Sequence, residues 1–241
     1  MLHRIVSICK LIPLCLITAL ACAQAPNQAP RSAGARVDRA ARRAPPLRPG
    51  LLFREEWQQS AKGGEHPATS EANGNADLDL EMYVPAGQLL VEGSAGNENN
   101  PIHVWTGLCT SPCGVALRDK GHFADLTGLA RIRVNTKMSG FHHVRPIVKL
   151  ADGTWWVGYQ AIGTTRDWLV SDVSYADLRW LKLDMPGLVT RGNLVDKIDL
   201  SKVDEIGFAD LMAGSGHGPG GAADVAQVEV YGRAVARSGQ D

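Results

Sequence analysis

Asp77-Leu78-Asp79-Leu80-Glu81-Met82-Tyr83-Val84 alternates polar and apolar side chains without a break. A period of two places every apolar member on one face of an extended chain, which is the pattern of a half-buried β-strand. Ala130-Arg131-Ile132-Arg133-Val134-Asn135-Thr136 repeats it, with Arg131, Arg133 and Asn135 on the wet face. Residues 144–150 and 154–159 flank Ala151-Asp152-Gly153, and the Asp-Gly pair supplies the positive φ of a tight turn, so a hairpin is expected there. Further short runs lie at 102–107, 115–120, 168–174, 179–183, 205–209 and 224–231, with Gly, Asn and Pro in the gaps. No fifteen-residue stretch holds a 3.6-residue period, and no internal repeat is visible. The pattern predicts an all-β fold, a jelly-roll β-sandwich of about nine or ten strands over residues 51–233, followed by a disordered tail at 234–241.

The segment before the domain has a different composition. Arg4 and Lys10 precede an apolar run from Leu11 to Leu20, and Ala19, Ala21, Ala23 and Ala25 follow. A positive start, a short apolar core and A-x-A spacing describe a secretory signal peptide over residues 1–25. The run is shorter than the roughly 20 apolar residues needed to span a bilayer. Ala19-Leu20-Ala21-Cys22 also resembles a bacterial lipoprotein box, although Ala19 stands where Leu is usual. The alternative to a freely exported chain is therefore one anchored by lipid at Cys22. Residues 26–50 hold six arginines against Asp38 alone, several prolines and no apolar periodicity, which predicts a disordered linker.

The chain's formal charge of zero is thus an average over unlike parts. Residues 51–241 carry 17 basic and 24 acidic side chains, a net of −7. An acidic domain without a basic stripe is a poor nucleic-acid binder, so no nucleic acid is expected as partner. The expected setting is the bacterial envelope or the exterior: periplasmic, extracellular or lipid-anchored, as a monomer.

Three stretches resemble the galactose-binding-like jelly rolls, including family 11 carbohydrate-binding modules and complex I intermediate-associated domains. They are residues 126–134 (LTGLARIRV), 198–208 (IDLSKVDEIGF) and 228–232 (VEVYG), and the similarity spans about residues 51–233. The resemblance implies a non-catalytic glycan-binding module with no cofactor beyond, in some members, a structural calcium. Glu55 or Glu56 meeting Glu229 across neighbouring strands would supply the hard oxygen ligands that calcium takes.

Chemistry-bearing residues are few. Cys109 and Cys113 span a proline turn and, in an exported protein, form an expected disulfide; His103 and His122 offer zinc as the rival reading. Gly214-Ser215-Gly216-His217-Gly218-Pro219-Gly220-Gly221 matches a dinucleotide fingerprint but feeds a strand rather than a helix, so that reading fails its structural test. Asp210 with His217, and His142-His143 in a second loop, are the candidate acid–base groups. Trp155 and Trp156 are adjacent in a strand and face opposite ways. The expectation puts Trp155 in the core, and Trp156 outside as a sugar platform beside Arg145 and Lys149. Trp57, Trp105, Trp168 and Trp180 are expected in the core. No H-E-x-x-H, G-x-S-x-G or other nucleophile signature occurs. Glycan binding is therefore the first expectation, with His142, His143 and His217 as further contacts. Polysaccharide cleavage by a hydrolase or lyase is the second, and a structural envelope role the third.

Overall fold

The structure, a computed structural model, describes residues 47–83, 87–163, 165–212 and 221–237. Among these residues the strands in chain order are β1 (Leu51–Glu56), β2 (His66–Pro67), β3 (Leu78–Tyr83), β4 (Leu90–Glu92) and β5 (His103–Trp105). Next come β6 (Cys113–Asp119), β7 (His122–Asp125), β8 (Arg131–Met138), β9 (Val144–Leu150), β10 (Trp155–Gly158) and β11 (Leu169–Ser174). The last five are β12 (Trp180–Asp184), β13 (Val189–Val195), β14 (Val203–Asp210), β15 (Ala223–Tyr231) and β16 (Arg233–Ala236). They form two antiparallel sheets. One runs β11-β8-β15-β5-β4-β2 with β1 also on β15; the other runs β13-β12-β10-β9-β14-β6-β3, with β7 on β14 and β16 on β7. The chain crosses repeatedly from one sheet to the other, the connectivity of a jelly-roll sandwich. No helix among the described residues is long and apolar enough to cross a membrane.

Alternation explains the core. β8 buries Ile132, Val134, Thr136 and Met138 and turns Arg131, Arg133, Asn135 and Lys137 outward. Opposite it, the second sheet contributes Val115, Leu117, Val148, Ile206 and Phe208 to the same core. Each such side chain stabilises the fold by about 1.5–3 kcal/mol relative to exposure. Gly207 on β14 is fixed by close packing: a Cβ there would sit 1.9 Å from the Val115 carbonyl oxygen. The Asp152-Gly153 hairpin forms as expected. Gly153 adopts φ 86°, its N–H donates to the Leu150 carbonyl, and the Asp152 carboxylate accepts the Thr154 N–H at 2.8 Å.

All ten expected runs are strands, and six further strands carry no strand signal in the sequence. β2 and β4 are too short to show a period. β13 is an edge strand exposed along most of its length, so it has no buried face for a pattern to record. β16 corrects the predicted tail. The strand continues past residue 233 to Ala236, and the Arg237 guanidinium then bonds the Asp204 carboxylate at 2.5 Å and the Asp119 carbonyl at 2.9 Å. Two of the four expected core tryptophans, Trp57 and Trp180, are buried. Trp105 and Trp168 are not core: both are half-exposed, and Trp168 lies under the Lys137 ammonium with its indole N–H donating to the Asn99 carbonyl. The expected signal peptide with Cys22, residues 26–46 of the expected linker, and His217 lie outside the described residues.

Candidate functional site

The β9–β10 hairpin decides which side chains reach the outer face of the nine-stranded sheet. Its register pairs Trp155 with Lys149 and Trp156 with Val148. Val148 belongs to the inter-sheet core, and Trp156 packs half-buried against that core. Trp155 faces outward with Val157, its ring 5.8 Å from the Lys149 ammonium. The expected faces of the two tryptophans are therefore reversed. The alternation itself holds, but the outer face is covered as well: the turn through Leu183, Met185 and Leu188 folds over it and makes a second small core with Trp155, Ile147 and Val157. Trp155 is buried there, edge-on to Tyr83 at 5.2 Å.

Beside that second core lies a charged network. The Glu205 carboxylate accepts the Tyr83 hydroxyl at 2.8 Å and the Lys149 ammonium at 2.6 Å. Burial, then the Glu205 hydrogen bond, pushes the Tyr83 phenol well above its ordinary range. Burial works against the charge on Lys149, but the hydrogen bond and charge of Glu205, with Asp204 3.6 Å away, outweigh it and raise the ammonium's pKa. Lys149 is thus engaged by two carboxylates.

At the other end of the hairpin the outer face opens into a cleft of about 310 Å³, lined by His143, Arg145, Tyr159, Leu181, Thr190, Leu211 and Met212. Tyr159 is 52% exposed, and its backbone N–H donates to the Arg179 carbonyl at 2.7 Å. The Arg145 guanidinium lies 5.5 Å from the Tyr159 ring centre and donates to the Tyr159 carbonyl. His143 Nδ1 donates to the Phe141 carbonyl at 3.1 Å. That tautomer leaves Nε2 as an acceptor 3.5 Å from the Arg145 guanidinium. An exposed aromatic face flanked by fixed donors and a Thr190 hydroxyl suits a ring with an apolar C–H face and peripheral hydroxyls. Among the described residues none that lines the cleft is a carboxylate. Sequence reasoning named Arg145 and His143 as glycan contacts, Arg145 beside Trp156, and did not single out Tyr159. The available signal was its position just past the end of β10, where a side chain leaves the packed face.

Asp210 and His142 meet elsewhere, inside the sandwich. His142 Nδ1 donates to Asp210 Oδ2 at 2.6 Å, Thr106 Oγ1 donates to the same oxygen at 3.3 Å, and the Met212 N–H bonds Oδ1 at 3.0 Å. Both partners are almost fully buried, and a Cβ on Gly221 would lie 3.0 Å from His142 Nε2. His142 and His143 lie just before β9 and point apart: one turns into the sandwich, the other to the cleft. Cys113 pairs with Asp210 across β6 and β14. Cys109 and Cys113 are buried thiols in hydrogen-bond contact, not joined as a disulfide in this structure; that contact and then burial push the Cys113 thiol far up. The zinc alternative is not supported, because His103 bonds the Pro101 carbonyl at 2.8 Å and His122 bonds Asp119.

The three glutamates considered for calcium do not converge. Glu55 turns inward and accepts the Gly74 and Asn75 N–H groups at 2.5 and 3.2 Å. Glu56 and Glu229 turn outward, and Glu229 is held by Arg54 at 2.5 Å and the Tyr231 hydroxyl at 2.6 Å. Alternation along β1 separates the first two, and an arginine already neutralises the third. Among the described residues no group of three or more His, Cys, Asp or Glu is placed to hold a metal.

No protein-family model matches the chain, and no curated protein does. Among solved structures it is similar to a family 11 carbohydrate-binding module from Clostridium thermocellum in complex with a β-1,3-1,4-mixed-linked tetrasaccharide. That match has 17% identity, covers 70% of this chain and 96% of that one, and has a TM-score of 0.44. A family 11 module of a cellulosomal cellulase from the same organism matches at 15% identity, covering 74% and 95%, with a TM-score of 0.40. A family 29 carbohydrate-binding module complexed with cellulohexaose matches at 15% identity, covering 69% and 88%, with a TM-score of 0.38.

Proposed function

We propose that this sandwich is a non-catalytic glycan-binding domain of an exported protein, and that the Tyr159 cleft is where the sugar binds. The observation that carries the proposal is the exposed Tyr159 ring, set against Arg145 in a cleft with no carboxylate among its described lining residues. Sugar rings stack on such a face, while Arg145 and Thr190 answer the hydroxyls. Glycoside hydrolysis would need two carboxylates about 5–10 Å apart across the bound sugar. The candidate acid Asp210 is instead committed to His142, Thr106 and Met212. The apolar N-terminal run supports export, with lipid attachment at Cys22 as the variant that would hold the domain at a membrane.

The test is affinity electrophoresis of the full chain through gels containing soluble neutral polysaccharides. Retardation by at least one of them is expected, and Tyr159→Ala should weaken it about tenfold or more. An unretarded wild type, or a Tyr159→Ala variant retarded like the wild type, overturns the reading. Release of reducing sugar, lost in Asp210→Asn, would replace it with the enzymatic one.

A further inference from the structure

The opposite sheet carries a second polar cleft that the Tyr159 site does not use. On the outer face of β1, β15 and β8 the register sets Glu56 beside Gln227 and Gln227 beside Asn135. This makes one carboxylate–amide–amide row across three neighbouring strands. Gln227 donates to the Glu56 carboxylate at 2.5 Å. The ladder slips at this point: β15 has a bulge between Val225 and Gln227. Bulges re-aim side chains and are frequent beside binding sites.

A wall stands over the row. The loop between β4 and β5 brings Ser94, Ala95, Gly96, Pro101 and Ile102 against Glu56, Asn135 and Gln227, enclosing about 260 Å³. The loop is held from within by Ser94 N–H to Asn100 carbonyl at 3.0 Å, Asn97 N–H to Ser94 carbonyl at 3.1 Å and Asn100 N–H to Asn97 carbonyl at 3.1 Å. From outside, the Trp168 indole N–H holds the Asn99 carbonyl at 3.3 Å. Gly93 makes the close turn feasible: its φ is 95°, and a Cβ would sit 2.0 Å from the Pro101 carbonyl oxygen. The wall therefore exists before any ligand arrives, which removes part of the ordering cost of binding.

We infer that this cleft is a second saccharide-binding site, taking a neutral sugar unit, so that the domain engages glycan chains on both faces. The inference takes its ligand class from the reading of the Tyr159 cleft but rests on different residues. Amides donate and accept together, as vicinal hydroxyls require, and a carboxylate accepts only. Neighbouring strands space the row at about 4.8 Å, comparable to alternate equatorial hydroxyls of a pyranose. Ile102 and Ala226 supply the apolar contact. Arg54 lies 3.7 Å from Glu56 but is held more closely by Glu229 at 2.5 Å, so the Glu56 carboxylate disfavours an anionic ligand and the cleft suits a neutral one.

The experiment is calorimetric titration of the full chain with neutral hexasaccharides: β-1,4- and β-1,3-glucan, β-1,4-mannan and β-1,4-xylan. In parallel, the side-chain amide NMR signals of Asn135 and Gln227 are followed. The wild type should bind two equivalents of at least one probe and shift both amide signals. Asn135→Ala/Gln227→Ala should reduce the stoichiometry to one, and Tyr159→Ala should leave the amide shifts in place. One equivalent in the wild type, abolished by Tyr159→Ala and with unmoved amide signals, overturns the second site and leaves the first. One equivalent that survives Tyr159→Ala and is lost in Asn135→Ala/Gln227→Ala overturns the first and leaves the second. No binding of any probe overturns both.

Discussion

Glu55 offers a test in which two physical effects predict opposite signs. Its carboxyl is fully buried on the inward face of β1, where desolvation opposes ionisation, while the Gly74 and Asn75 N–H groups favour it. Burial is the larger effect and lifts the pKa from 4.5 to about 7. A folded-state pKa above the unfolded value means that the folded state holds the proton more tightly. The stabilisation is complete below about pH 4.5 and is lost as pH rises through about 7. At about 1.4 kcal/mol per pKa unit, the loss across that window is about 3 kcal/mol. Glu55→Gln keeps the shape and removes the titration. Urea unfolding of both proteins from pH 4.5 to 8 should show the wild type losing about 3 kcal/mol relative to the variant. With a slope of about 2 kcal/mol per molar urea, that is a relative midpoint shift of about 1.5 M. Other titrating groups cancel in the difference. A flat difference would mean that Glu55 is not desolvated as described. A difference that grows in the wild type's favour with pH would mean that the two N–H bonds win.

Gly207→Ala should destabilise the domain by about 3 kcal/mol or more, because its Cβ must displace the backbone of β6 rather than a movable side chain; a melting temperature within a degree of wild type would refute this. In an oxidising compartment the Cys109–Cys113 thiols, already in contact, are expected to close into a disulfide. Thiol titration under denaturing conditions of the protein produced in such a compartment should then find neither of them, and two titratable thiols from this pair would refute it.

Nine of the ten strands that the sequence reveals bury at least one face, and where the other face is wet, as in β3 and β8, burial wrote a period of two into them; β11 has no buried residue. β13 and β16 were invisible because exposed edge strands satisfy their backbones without selecting for alternation. The site was legible in part for a related reason. Arg145 and Lys149 share the parity of an outward face, and the hairpin turn fixes their partner strand through Gly153. Tyr159 was missed because it shares parity with Trp155 and Val157, which are buried, yet it lies outside the second core.

By itself the sequence determined the all-β class, the position of the β9–β10 turn, the charge division between residues 26–50 and 51–241, and which residues within one strand share a face. Each of these follows from neighbours a few positions apart. Tertiary structure alone decided which shared face became the inter-sheet core, that the turn at 183–188 buries Trp155, that Asp210 meets His142 rather than the cleft, and that Glu56, Gln227 and Asn135 form one row. Those outcomes depend on strand pairings and loop placements between residues far apart in the chain. Alternation specifies two faces but carries no information about what will cover them.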